Sequence, residues 1–492
     1  MTRTATIVGG GFGGMAAAIR SKSQGFDVTL IDRGNQLGGK ACVYEREGFR
    51  HDGGPTVITA PFLLEELFEL MGERLQDHLD LIPLDPWYRF TFKDGSEFNY
   101  GGTVENTLDE IRKFNGSDVE GYQALLSQSK KLFDTGFTKL SAEPFDNLFM
   151  MLRQIPDLFS LRAYQSVWQL VSHHLKDDHL RRAFSIQPLL VGGNPFDTTC
   201  IYSLIHYLER KWGIFFPRGG TGALVAALEA LMRRNDIKIR LSEEVEKIVV
   251  RKGKAEGVLL RSGEEVRSDI VVANSDAPYL YTHMLDKETA GMSARLKVRA
   301  SKYSMGLFVL YFGTLKKYPE LAHHTIWMGD RYESLLDDIF NKQVLPEDFS
   351  LYIHRPTATD PSFAPEGCDS FYVLCPVPNL QAEVDWKEEG PRLKARIVRS
   401  LDETIMPGLK DSITADFFKT PEDFRNDHLS LHGAAFSIAP IFTQSAWFRF
   451  HNKAEGVKNL YLVGAGCHPG AGLPGVLCSA KVFHELIRRE AA

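Results

Sequence analysis

The residues TATIVGGGFGGMAAAIRSKSQGFDVTLID, numbered 4–32, set the fold class of this chain. A short apolar strand runs into the pattern G-x-G-x-x-G, which begins at Gly9, and the spacing predicts a helix over residues 15–24. A second apolar strand over residues 28–31 ends at Asp32, which follows the first glycine by 23 residues. Strand, glycine turn, helix, strand and acid in this order predict a dinucleotide-binding βαβ unit.

Each residue type in this unit has a physical role toward a dinucleotide. Gly9 allows the tight turn, Gly11 lets the backbone approach a pyrophosphate, and Gly14 allows close contact between helix and strand. Gly13, in the same turn, is a further expected cofactor contact. The helix N-terminus then faces the phosphates, and Asp32 is expected to accept a hydrogen bond from a ribose hydroxyl.

The residues Gly38, Gly39 and Lys40 narrow the choice of cofactor. An acid followed by a glycine pair and a base is typical of FAD-binding proteins, whereas an ordinary glycine turn with a solvated lysine is the structural alternative. The paired glycines permit a second close backbone approach, and Lys40 adds positive charge near the diphosphate. Combined with the βαβ unit, this extension predicts FAD and not NAD.

Composition and charge exclude several classes of protein. The chain has 492 residues, which is enough for two or three domains, and 57 basic against 63 acidic residues give a net charge of −6. This balance argues against a nucleic-acid binder. The six cysteines form no C-x-x-C pair, the first strand leaves no room for a signal peptide, and no apolar run reaches the roughly 18 residues of a membrane span. We therefore expect a cytoplasmic protein.

The predicted fold class is α/β, with a Rossmann-like FAD domain, a mixed α+β substrate domain and a helical, membrane-facing region. The predicted FAD domain is discontinuous, because a second strand and glycine loop, NLYLVGAGCHPGAGLPG, occupies residues 459–475. Residues 60–212 look largely helical, and a helix is predicted over 223–234. The predicted division is 1–100, 213–285 and 430–492 for the FAD domain, 101–212 for the helical region and 286–429 for the substrate domain.

Five motifs resemble those of bacterial phytoene desaturases, in the same order and at the same intervals along nearly the whole chain. They are residues 9–40, DGGPT at 52–56, LLVGGNP at 189–195, FPRGGTGAL at 216–224 and GAGCHPGAGLPGV at 464–476. The departures are small: Lys40 stands where arginine is common, Gly53 replaces alanine, Cys467 replaces threonine and Leu473 replaces isoleucine.

The resemblance implies an FAD-dependent enzyme that converts phytoene through successive carotene intermediates to lycopene or neurosporene. It also implies peripheral, monotopic contact with a membrane lipid surface, and quinone or oxygen as the electron acceptor. It extends the expected FAD contacts to Gly54, Pro55, Thr56, Val245, Gly464, Gly466, Gly475 and Val476.

Two residues are candidates for catalysis. Arg153 is a lone charge in an apolar stretch, at a place where the family also carries arginine, and it is the candidate for contact with substrate or quinone. The alternative for Arg153 is a snorkelling side chain on an amphipathic helix. His468 lies in the last glycine loop, which in this superfamily passes near the flavin, and its alternative is a structural loop histidine.

The sequence spacing of histidines indicates no metal site. His173 and His174 are adjacent and diverge on a helix, and His323 and His324 have no ligand spacing. The apolar stretch over residues 145–171 has two interpretations, a membrane-contacting surface that admits a lipid-soluble substrate or a buried pair of helices.

Other functions stay open at this point. Within enzymes they are a carotenoid isomerase, a 3,4-desaturase and a retinol-saturase-like activity. From a different class, a non-catalytic isoprenoid carrier similar to Rab-escort proteins uses a related scaffold. The intact glycine set with Asp32 and Lys40 favours a retained cofactor and therefore an enzyme.

Overall fold

The computed structural model describes residues 2–139, 143–144 and 161–491. The strands of this part of the chain are β1 (Thr4–Val8), β2 (Asp27–Ile31), β3 (Val43–Arg46), β4 (Phe49–Asp52), β5 (Leu81–Pro83), β6 (Tyr88–Phe92), β7 (Glu97–Tyr100), β8 (Phe215–Pro217), β9 (Lys238–Arg240), β10 (Val245–Arg251), β11 (Lys254–Leu260), β12 (Glu265–Arg267), β13 (Ile270–Ala273), β14 (Gly306–Thr314), β15 (His324–Met328), β16 (Leu351–His354), β17 (Asp369–Val377), β18 (Ile413–Lys419) and β19 (Leu460–Leu462).

The α-helices are distributed along the whole described chain. They are Phe12–Ser23, Phe62–Glu69, Val104–Asn115, Asp118–Phe133, Val167–His174, Asp178–Ser185, Leu204–Trp212, Gly220–Arg234, Ala277–Tyr279, Met292–Ala300, Glu333–Asp337, Trp386–Glu403, Leu409–Ser412, Pro421–His428 and Leu473–Ala491.

A five-stranded parallel sheet, in the order β19-β13-β1-β2-β9, brings distant parts of the chain together. Val8 pairs with Ile31 on one side and with Ala273 on the other, and Ala273 pairs in turn with Leu462. The return of the chain to the N-terminal sheet is thus observed. All these strands end at one edge, where ligands bind in open α/β sheets.

A seven-stranded sheet in the order β18-β14-β17-β16-β15-β6-β7 forms the second layer. Strand β14, which lies between β18 and β17, is buried along its whole length. One face packs against the helix Trp386–Glu403 through residues such as Phe308 and Leu310. On the other face, Leu307 and Val309 line a large cavity. The sheet therefore supplies an apolar wall.

The prediction that residues 60–212 are largely helical is wrong for residues 81–100. This part forms β5, β6 and β7, and β6 and β7 are an antiparallel hairpin in the seven-stranded sheet. Phe90 and Phe98 alternate with polar residues on either side of the Asp94-Gly95 turn, which is the period of strands. The predicted segment 1–100 thus contributes strands to both sheets, and the division into domains stays a prediction.

The carboxylate of Asp52 joins two of the sequence motifs. It accepts hydrogen bonds from the backbone N–H of Thr221 (3.1 Å) and Gly222 (3.4 Å), so it caps the helix Gly220–Arg234. The helix consequently begins three residues earlier than predicted. Burial raises the pKa of Asp52 to about 6, opposed by these two backbone donors.

The apolar stretch over residues 145–171 lies largely outside the described residues. Within its described end, Val167, Leu170 and Val171 are buried and pack into the core around the β6–β7 hairpin. For these three side chains the core interpretation is correct and membrane exposure is wrong. In the described part of the chain, none of the helices combines the length and the apolar character needed to span a membrane.

Candidate active site

A single cavity of about 640 Å³ extends from the edge of the five-stranded sheet to the face of the seven-stranded sheet. One end is lined by glycine-rich loops from both termini of the chain, including Gly11 and Gly464. The other end is lined by apolar side chains. They are Ile186, Leu189, Leu190, Val191, Ile201, Leu204, Ile205, Leu208, Met305, Leu307, Val309, Ile326, Leu351 and Leu374.

Asp32 organises the first glycine loop. One carboxylate oxygen accepts from the N–H of Gly10 (2.6 Å) and the other from the N–H of Gly34 (2.6 Å). Gly9 has φ +94°, and a Cβ on Gly14 would lie 1.9 Å from the Gly9 carbonyl oxygen, so both positions require glycine. Asp32 also lines the cavity, where its ribose contact stays a prediction.

Asn274 fills the space that the glycines of the two loops leave open. Its side chain donates to the Gly9 carbonyl at 3.3 Å. A Cβ on Gly13 would lie 2.5 Å from its Oδ1, and a Cβ on Gly464 would lie 2.7 Å from the same atom. The first and last glycine loops therefore close around one amide side chain.

Lys40 is half-buried beside this junction. Its Nζ donates to the Ala435 carbonyl at 2.7 Å. Burial lowers the pKa of Lys40, and the nearby carboxylate of Asp276 opposes this shift. Asp276 accepts from the Leu431 N–H at 3.0 Å and from the Ser437 hydroxyl. Lys40 lines the cavity, and its contact with a diphosphate stays a prediction.

Arg449 holds the C-terminal glycine loop from behind. Its guanidinium is 1% exposed and donates to the carbonyl oxygens of Ala465 (2.7 Å), Cys467 (3.2 Å) and Ile438 (3.2 Å). Burial lowers the pKa of Arg449. These bonds leave the front of the loop, with the buried His468, turned toward the cavity.

Three hydroxyl groups in the wall of the apolar end of the cavity are hydrogen-bonded to one another. The Thr56 hydroxyl shares hydrogen bonds with the hydroxyls of Tyr352 (2.8 Å) and Tyr372 (2.6 Å). All three residues line the cavity. Because the hydroxyls satisfy one another, this wall contributes little free hydrogen-bonding capacity to a ligand.

Glu209 is the unexpected charged residue of this wall. It is 1% exposed; one oxygen accepts from the Tyr88 hydroxyl at 3.0 Å, and Oε2 has no hydrogen-bond partner. Burial raises the pKa of Glu209 to about 8, opposed by the Tyr88 bond and by the charge of Arg210. A carboxyl group with this pKa is mostly neutral near pH 7, which suits an apolar cavity.

The structure brings nearly all predicted site residues to one cavity. The residues that line it are Gly9, Gly11, Gly13, Asp32, Gly38, Gly39, Lys40, Gly54, Pro55, Thr56, Val245, Gly464, Gly466, His468, Gly475 and Val476. Gly14 lies behind the wall, in contact with Gly9. Arg153 lies outside the described residues.

Sequence reasoning missed Asn274, Asp276, Glu209 and Arg449. The first two had a usable signal, because they follow β13 directly and polar residues after parallel strands face the ligand edge of the sheet. Glu209 sits in the helix Leu204–Trp212 and Arg449 in a loop, without any motif that marks them.

The sequence model of the family described as flavin containing amine oxidoreductase matches residues 12–481. This chain belongs to that family. It is also 46% identical to the phytoene desaturase (lycopene-forming) of Pantoea ananas over 477 residues, which cover 97% of each protein. It is 40% identical to the neurosporene-forming phytoene desaturase of Rhodobacter capsulatus, over 98% of this chain and 93% of that protein.

Solved structures of this fold agree over almost the whole chain. An oxidoreductase from Methanosarcina mazei superposes with a TM-score of 0.68 at 16% identity, covering 98% of this chain and all of that one. A putrescine oxidase variant superposes with a TM-score of 0.66 at 12% identity, covering 100% and 98%. At these identities the similarity establishes the fold alone.

The cofactor of this family member is FAD, and the cavity fits it. The helix Phe12–Ser23 begins at Gly11 without a side-chain cap, so its first backbone N–H groups are available to phosphate oxygens. Gly11, Gly39 and Gly464 present backbone without side chains along the same wall. These residues would hold the dinucleotide, with Asp32 placed for its ribose.

The raised pKa of Glu209 predicts how stability depends on pH. The folded-state pKa of about 8 lies above the ordinary value of 4.5, so the folded protein holds one more proton between these values. The stabilisation is complete below about pH 4.5 and is lost as the pH rises through about 8. Glutamine stays neutral at every pH. When the pH is raised from about 5 to about 9, we therefore expect the melting temperature of Glu209→Gln to fall less than that of the parent.

The control for this measurement is Glu246→Gln, because Glu246 is exposed. Its pH dependence should match that of the parent. If the melting temperatures of the parent and of Glu209→Gln fall by the same amount over this pH range, the Glu209 carboxyl is not held neutral by burial.

Proposed function

We propose that this chain is an FAD-dependent desaturase that converts phytoene by successive dehydrogenations to lycopene or neurosporene. The observation that carries the proposal is the continuity of the cavity, from the glycine loops of the dinucleotide end to an extended apolar end. A long hydrocarbon can lie against Leu307, Val309 and Ile326 while one of its carbon–carbon bonds reaches the flavin end. The relatives at 40–46% identity, which are phytoene desaturases, support this choice of substrate.

In the proposed reaction the side chains orient the substrate and exclude water, and the cofactor supplies the redox chemistry. When bound, FAD supplies the hydride acceptor for desaturation of a CH–CH bond. The apolar wall orients the chain and excludes water, the paired hydroxyls of Thr56, Tyr352 and Tyr372 offer no competing contact, and Glu209 stays mostly neutral near pH 7. We include quinone or oxygen in the proposal as the acceptor that reoxidises the flavin.

Expression in cells that accumulate phytoene tests this function. We expect phytoene to be consumed and lycopene or neurosporene to appear, measured by chromatography and absorbance. Gly13→Val should give no pigment, because its side chain would collide with Asn274. Gly116→Ala is the matched control, since a Cβ there meets nothing within 4 Å. Conversion of cis to trans isomers without new double bonds would favour an isomerase, and retained phytoene with bound flavin would favour a carrier.

Arg153 is proposed as the residue that contacts substrate or acceptor during turnover, on sequence grounds alone. We expect Arg153→Ala to lower desaturation by about tenfold or more, as loss of a positioned polar group does. Flavin content and melting temperature should stay near those of the parent. Arg488→Ala, which removes an exposed arginine, is the control. If Arg153→Ala makes as much pigment as the parent, Arg153 has no role in turnover.

We also propose peripheral membrane contact through an aromatic rim, defined as Tyr164, Phe442 and Phe448. These side chains are 61%, 38% and 41% exposed. The neighbouring Leu161, Ser445 and Ala446 line the cavity, so the rim borders a route into it. The exposed Lys302, whose backbone bonds to Gln444, adds a positive charge for anionic headgroups.

Liposome flotation tests the aromatic rim. The double variant Phe442→Ser and Phe448→Ser should leave most of the protein in the aqueous fraction, while the parent floats. The control is Leu315→Ser with Val344→Ser, which removes two exposed apolar side chains (66% and 54%) outside the cavity wall. If both double variants float like the parent, the rim is not the membrane contact.

A further inference from the structure

Three histidines meet behind the cavity wall, at the junction of β15 and β16. His324 and His354 are directly opposite each other in the antiparallel register, and His323 precedes β15. Their exposed fractions are 5%, 0% and 1% for His323, His324 and His354. Sequence spacing indicated no metal site here, because His354 is separated from the pair along the chain and joins it only through strand pairing.

Buried nitrogen atoms in this cluster lack hydrogen-bond partners. They are Nε2 of His323, Nε2 of His324 and both ring nitrogens of His354. One ring nitrogen from each histidine lies within 4.8 Å of the other two. An unpartnered buried polar atom is costly, and three adjacent imidazoles that each carry at least one indicate a ligand that all three can bind.

The opposite nitrogens of two rings are held in place. Nδ1 of His323 shares a hydrogen bond of 2.7 Å with the Thr359 hydroxyl, and Nδ1 of His324 shares one of 2.7 Å with the Tyr352 hydroxyl. In metal sites, the second nitrogen of a ligating histidine is commonly oriented in this way. Burial lowers the pKa of all three imidazoles, which disfavours their protonated forms.

The charged groups near the cluster largely balance. Arg355 acts on His323 with its positive charge, but its guanidinium lies 3.7 Å from the carboxylate of Asp369. The ring of Tyr88 lies between the cluster and Glu209. Its centre is 5.9 Å from that of His324, and its hydroxyl donates a hydrogen bond to the mostly neutral Glu209. A cation would therefore meet three buried imidazoles with no large opposing charge nearby.

We propose that His323, His324 and His354 bind one divalent late first-row transition metal ion of the zinc type. Imidazole nitrogen suits this class of metal, and sites with three histidines complete a tetrahedron with water or hydroxide. Zn–N bonds of about 2.0–2.1 Å place ligand nitrogens about 3.4 Å apart. The ring nitrogens now lie at most 4.8 Å apart, and small side-chain rotations would bring them to the shorter distance.

The proposed metal would act as a clamp for the cavity wall. It would join the start of β15 to the end of β16 and fix His324, which orients Tyr352 and through it Thr56. This inference does not depend on the proposed desaturation, because none of the three histidines lines the cavity.

The test is the metal content of the full-length flavoprotein, purified with a tag that lacks histidine, exposed to Zn²⁺ and passed over a chelating resin. We expect about one zinc per chain by inductively coupled plasma mass spectrometry. His323→Gln and His354→Gln should each lower it at least tenfold. His206→Gln is the matched control, because His206 is also buried but both its ring nitrogens are hydrogen-bonded, to Gln187 and to Phe184.

X-ray absorption of the zinc-loaded parent gives a readout that needs no variant. Three imidazole scatterers at about 2.0 Å, and visible d–d bands of tetrahedral type after replacement by Co²⁺, are the expected results. Substoichiometric zinc in the parent, equal zinc in the parent and a folded His354→Gln protein, or a shell of oxygen ligands would overturn the proposal.

Discussion

The amide side chain of Asn274 is the contact on which the cofactor end of the molecule depends. It bonds to Gly9 and occupies the space that Gly13 and Gly464 leave by lacking side chains. Three chain segments therefore meet at one point, at the carboxyl ends of β1, β13 and β19. Glycine is therefore required at positions 13 and 464 by the packing against Asn274 as well as by the space that a bound dinucleotide would need.

The second constraint is the way the two sheets share a cavity. The five-stranded sheet contributes polar backbone at its edge, and the seven-stranded sheet contributes apolar side chains from its face. Asp52 links these regions, because the loop that follows β4 carries Thr56 into the wall while its carboxylate caps the helix Gly220–Arg234. The buried carboxylate of Asp52 thus helps to fix the position of the Thr56 hydroxyl, at the apolar end of the cavity, relative to the glycine loops at the other end.

The sequence predicted that the first and last glycine loops lie on the same sheet, and it did not identify several residues of the cavity wall, for a physical reason. Gly9, Asp32 and Lys40 belong to one local unit whose spacing is itself the signal. Asn274, Glu209 and Arg449 act through contacts between segments far apart in the chain, which spacing does not record. The sequence prediction did not include the β6–β7 hairpin, although the Asp94-Gly95 turn and the alternation of apolar and polar residues beside it are both present in the sequence.

The position of β19 and the helix Leu473–Ala491 has a consequence for how the protein is made. Strand β19 joins the sheet beside β13, and the helix Leu473–Ala491 packs against the helix Phe12–Ser23, which is translated much earlier. The nascent chain thus carries the first glycine loop, with Gly9 and Gly13, long before the loop at Gly464 is translated. The cofactor site is therefore complete only after β19 and the loop at Gly464 have been made, and the unfinished fold exposes apolar surface until then.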